Sequence, residues 1–211
     1  MTNARKARQA TAEKAANLRA QQAKAERNRR FALAAGAFVI VLAVVGGGTA
    51  IVMTARGDQA ELDATSLTGL KEYKDLSQNH VTTPVTYEQT PPVGGDHNPV
   101  WLNCGVYDAP VQNENAVHAL EHGAVWIAYQ EDLPEAQVET LKKTVGSQTY
   151  IVLSPYKDLK SPISVQAWGL QMTVDDASDP RINKFIKEYK QGEQTPEPGA
   201  ACTGGVGTPE G

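Results

Sequence analysis

The sequence predicts an α+β domain: a small, mainly antiparallel sheet with helices on one face, preceded by a single transmembrane helix. Three observations carry this expectation. An uncharged apolar run covers residues 31–54. Beyond it, short β-rich runs alternate with helical repeats over residues 81–190. Charge is also divided along the chain, so that a formal net charge of −4 over 211 residues joins a basic start to an acidic remainder.

Residues 1–30 hold nine Lys and Arg against Glu13 and Glu26, a net +7. They favour helix but offer no apolar face to bury. No aromatics interleave with the basic residues, so the arm is read as lying on anionic lipid and not on nucleic acid. The 24 residues Phe31 to Thr54 follow without a charge. At about 1.5 Å rise they reach roughly 36 Å, enough for a hydrocarbon core of about 30 Å. A cleaved signal peptide competes, with cleavage near Thr49-Ala50, but its apolar core is usually about 7–15 residues. The uncleaved anchor is preferred. Arg27, Arg29 and Arg30 abut the run, so the positive-inside bias puts residues 1–30 in the cytoplasm and the acidic residues 57–211 outside it. The expected product is a single-pass protein of the cell membrane. Its partners are the lipid bilayer and an unidentified envelope protein.

Residues 55–80 read as a linker, with a turn of helix from Leu70 to Leu76. Val81 to Tyr87 reads as extended, and the Gly94-Gly95 and Asn98-Pro99 steps put His97 in a loop. Trp101 to Tyr107 is loop or short strand. Asn113 or Asn115 is positioned to cap a helix through Val117 to Glu121, with Gly123 as its left-handed stop. Ala124 to Tyr129 is a β-rich run too short for a helix. Pro134 opens a helix whose Val138, Leu141 and Val145 share a face, and Gly146 ends it. Strands are expected at Tyr150 to Leu153 and, as one long run, Ile163 to Val174. A last helix, Pro180 to Lys190, buries Ile182, Phe185, Ile186 and Tyr189. The order β-α-β-β-α contains most of one βαββαβ unit, and Val81 to Tyr87 supplies the missing strand. Residues 191–211 read as a flexible tail pinned through Cys202.

Chemistry concentrates in Gly94 to Tyr129, which holds three of the four histidines and one of the two cysteines. His118-Ala-Leu-Glu121-His122 has the form H-x-x-E-H. Residues four apart share a helix face, so His118 and His122 can grip one metal ion, joined by His97 from its loop. Glu121 is a further ligand or an outer acceptor that orients an imidazole. Cys104 has two readings. Outside the cytoplasm it pairs with Cys202, closing a 98-residue span; alternatively it is a soft copper ligand with the histidines and Met172. Copper and zinc both suit the nitrogen-rich set.

H-x-x-E-H is also the inverzincin pattern, in which Glu121 would act as general base on zinc-bound water. That peptidase needs another acidic ligand downstream, and Glu197 lies 75 residues beyond His122. Three functions therefore compete: a metal-binding module, a zinc-dependent hydrolase, and a metal-free envelope interaction domain. No C-x-x-C, Gly-rich phosphate loop, Ser-His-Asp spacing or lipobox is present.

Further residues carry a family resemblance. Pro91-Pro92, Gly94-Gly95, His97, Trp101, Gly105 and Tyr107 come first. Val117-His118-x-Leu120-Glu121-His122-Gly123-x-Val125-x-Ile127-x-Tyr129, Trp168-Gly169 and Pro196-Glu197 follow. Together they resemble the domain of unknown function 3105 family over roughly residues 62–198. The resemblance implies an actinobacterial envelope protein with one membrane anchor and supplies no activity.

Overall fold

The computed structural model describes Ala60 and residues 62–210. The expected basic arm and the anchor at residues 31–54 lie outside these residues. Among the described residues, no helix is long and apolar enough to cross a membrane.

Six strands form one sheet: β1 Lys71–Glu72, β2 Gly105–Val106, β3 Val125–Gln130, β4 Ile151–Tyr156, β5 Ile163–Ala167 and β6 Leu170–Val174. Their spatial order is β1-β6-β5-β3-β4-β2. Among the described residues, the helices that pack on this sheet are α1 Asn113–Glu121, α2 Glu135–Val145 and α3 Pro180–Tyr189. The sheet is mixed, which corrects the expectation of a mainly antiparallel one. β3 pairs parallel with β4, and β2 pairs parallel with β4. The β3–β5, β5–β6 and β1–β6 pairs are antiparallel. The cause is α2, because a helical crossover between β3 and β4 returns the chain in the same direction.

Alternate residues of β3 face opposite ways. Val125, Ile127 and Tyr129 join Leu141 and Val145 of α2 and Ile182, Phe185 and Ile186 of α3 in one core. Trp126 and Ala128 join Ala116, Val117, Ala119 and Leu120 of α1 in a second. Helices therefore cover both faces, not one. A central strand buried on both sides must be apolar throughout, which is why β3 shows no alternation. Fully buried side chains such as Trp126 and Phe185 contribute about 1.5–3 kcal/mol each.

Three local expectations are also corrected. The run from Ile163 to Val174 is two strands, because Gly169 at φ +71 turns the chain between β5 and β6. A Cβ there would lie 2.9 Å from the Tyr73 carbonyl oxygen. The first strand comes from Lys71–Glu72, where a helical turn was expected, and Val81 to Tyr87 forms no strand. Neither Asn113 nor Asn115 caps α1. Gln112 holds the N-cap position without a side-chain bond, while Asn115 donates to the Val100 carbonyl. Gly123, at φ +93, does stop α1, and its Cβ position is filled by Gln191 and Thr195.

Residues 191–210 return across the α1 end of the sheet and are attached beyond the disulfide. Glu197 N–H donates to the Glu121 carbonyl, Val206 N–H to the Trp101 carbonyl and Glu210 N–H to the Val106 carbonyl.

Candidate metal centre

The second face of the sheet positions the site. α1 carries His118 and Glu121, and His122 follows at its C-terminal cap; all three side chains are buried. The loop before α1 supplies His97. Gly94 and Gly95, at φ +154 and +112, let this loop run close beneath Trp168, since a Cβ on Gly94 would lie 2.7 Å from Leu76 and 3.2 Å from Trp168. The same loop pairs with the segment upstream. Val81 N–H donates to the His97 carbonyl at 2.7 Å, and His97 N–H donates to the Asn79 carbonyl at 3.0 Å. This bridge sets His80 beside His97.

Four side chains converge: the ligand atoms of His80, His97, His118 and Glu121 all lie within 4.8 Å of one another. Glu121 Oε2 is the common neighbour, 2.9 Å from His97 Nε2, 3.6 Å from His80 Nε2 and 4.0 Å from His118 Nε2. A metal at about 2.0–2.1 Å from four tetrahedral ligands separates them by roughly 3.3 Å, and the three distances bracket that value. The cluster can hold a metal ion.

Outer hydrogen bonds aim the imidazoles. His97 Nδ1 lies 2.8 Å from the Gly95 carbonyl oxygen and His118 Nδ1 lies 2.6 Å from that of Asn98. A carbonyl only accepts, so each Nδ1 carries a proton, and in the neutral ring Nε2 is then the nitrogen that faces inward with a lone pair. Burial pushes the His118 ring down to about 4, helped by the neighbouring His122, His97 and His80 and opposed by the Asn98 carbonyl. At neutral pH this ring is uncharged and able to ligate. Between His97 Nε2 and the Glu121 carboxylate, acceptor faces acceptor, so either a proton or a cation must stand between them. His97 is 0% and Glu121 2% exposed, and an uncompensated carboxylate there would cost several kcal/mol. Trp168 packs edge-on to His97, and Trp101 packs against both His118 and His122.

The other expected site residues lie elsewhere. The His122 ring centroid is 4.5 Å from that of His118, yet its lone pair does not join the four. His122 Nδ1 donates to the Ala201 carbonyl at 2.6 Å, leaving Nε2 3.6 Å from Glu197 Oε2. The two histidines of H-x-x-E-H thus have different partners, and Glu121 belongs to the donor set, not beside it. Cys104 is bonded to Cys202, so it offers no thiolate and is not a ligand. Met172 is buried in the core on the opposite face. His80, read as the end of the linker, was missed. A single histidine in Gln-Asn-His-Val-Thr has no periodicity to mark it, and only its backbone bridge to His97 reveals it.

Residues 80–204 match a family described as "Protein of unknown function (DUF3105)". The matched span begins at His80 and encloses the whole cluster. No curated protein and no solved structure matches the chain.

Proposed function

Since the chain belongs to the DUF3105 family, whose description assigns no activity, we propose from its chemistry that it binds one transition metal ion through His80, His97, His118 and Glu121. The carrying observation is the convergence of three imidazole nitrogens on one carboxylate oxygen, with two of the rings locked to backbone carbonyls on the far side. Divalent zinc or copper suits such a set, and copper is favoured at equal availability. With both cysteines in a disulfide and Met172 in the core of the opposite face, no sulfur among the described residues is placed to ligate monovalent copper.

His97, His118 and Glu121 would fix the ion, and the bound charge would satisfy the buried carboxylate. A hydrolase of the H-x-x-E-H kind would need Glu121 free to act on water, and its place in the donor set argues for a binding module. We further propose that the domain is held outside the cytoplasm by residues 31–54, as an envelope protein of the kind that the family resemblance implies. The disulfide supports this, because such bonds persist in oxidising compartments.

Elemental analysis of the full chain, purified without affinity tag or chelator and dialysed against zinc or copper, tests the binding. The expected result is about one equivalent, lost in Glu121→Gln. Metal far below one equivalent, or equal retention by the variant, overturns the proposal and returns the cluster to a metal-free hydrogen-bonded core.

A further inference from the structure

The four donors are not equivalent. His97, His118 and Glu121 are 0%, 3% and 2% exposed, whereas the His80 side chain is 45% exposed. The rings of His97 and His118 each have Nδ1 tied to a carbonyl. Among the described residues, the His80 ring has no hydrogen bond of that kind. It rests by stacking on His118, with centroids 4.8 Å apart and planes 23° apart, and edge-on to His97 at 4.9 Å. Its backbone is secured through Asn79 and Val81 to His97, so the ring can swing about its own side-chain bonds without the loop moving.

We propose that His80 is an exchangeable ligand and that its position is where the metal passes to and from an external lone-pair donor. This rests on the metal-binding reading above. The buried triad grips the ion throughout. At the fourth position, the metal–Nε2 bond to His80 breaks as a bond forms to an incoming nitrogen or oxygen donor. The metal keeps its oxidation state, the incoming donor supplies the lone pair that His80 withdraws, and the released imidazole turns into water. A fully enclosed set of four would hold the ion as a structural rivet. One solvent-facing, untethered ligand instead makes the site able to load and unload without unfolding.

Cobalt(II) is the probe, because its visible absorption reports the number and kind of ligands. The full chain, its His80→Ala variant and its Glu121→Gln variant are loaded with cobalt and challenged with EDTA. His80→Ala should retain one equivalent, bind it at least about 10-fold more weakly, the least that losing even an outer hydrogen-bond partner of a ligand costs, and surrender it to EDTA correspondingly faster. Millimolar imidazole should fill the vacated position, restore the absorption bands and slow release. Glu121→Gln should lose stoichiometric binding, and imidazole should not rescue it. The inference is overturned if His80→Ala loses cobalt as completely as Glu121→Gln. It is equally overturned if His80→Ala releases cobalt at the wild-type rate and ignores imidazole. Failure of the wild-type chain to take up cobalt is a separate result, and it removes the metal-binding reading along with the inference.

Discussion

Burial that holds the His118 ring down to about 4 makes the metal-free chain sensitive to mild acid. An unfolded histidine titrates near 6.5, so between about pH 6.5 and 4 the unfolded chain binds a proton that the folded chain refuses. Stability from this group is complete above that window and lost as pH falls through it. Urea midpoints of the metal-free chain should therefore fall between about pH 7 and 5, and His118→Gln should flatten the profile. An unchanged slope in the variant would deny His118 this role. At this scale His97, His118 and Glu121 were legible, because a Gly-rich loop and i, i+3 and i, i+4 helical spacing are local signals. His122 shows where spacing fails. Residues four apart share a face, but ring orientation depends on distant carbonyls, Asn98 for one and Ala201 for the other. His80 was illegible because its partner is a backbone bridge to His97.

Among the elements, α1, α2, α3, β3 and β4 follow from periodicity, Pro134, Gly123 and Gly146. β1 and the β5–β6 hairpin do not. β1 is two exposed, charged residues added to the edge of β6, and Trp168-Gly169 offers little turn signal inside a continuous apolar run. The returning tail is held by the Cys104–Cys202 bond and by backbone hydrogen bonds to Trp101, Val106 and Glu121. Replacing both cysteines by serine removes a cross-link over a sequence separation of 98, worth at most about 4–5 kcal/mol. For a domain of this size the melting temperature should fall by up to about 8–20 °C. Metal stoichiometry should survive, since neither sulfur ligates and the tail keeps its other attachments. Parallel calorimetry and elemental analysis check both parts; loss of metal at unchanged stability would return Cys104 to the ligand set.

For the whole molecule, composition and element order gave the α+β class but not the direction of the sheet or its two covered faces. Parallel pairing of β3 with β4 depends on how α2 crosses over, and β3 is apolar on both sides, so no alternation reveals which helix goes where. The charge divide around residues 31–54 leads to a prediction for the intact cell. Protease added outside should remove residues 57–211 and spare residues 1–30; the reverse pattern would refute the proposed orientation. The binding proposal turns on which atoms surround the ion. X-ray absorption on the zinc-loaded, tag-free chain tests it most directly. The expected shell is three imidazole nitrogens and one carboxylate oxygen at about 2.0–2.1 Å. Sulfur at about 2.3 Å, or fewer than two imidazoles around the zinc, would contradict it.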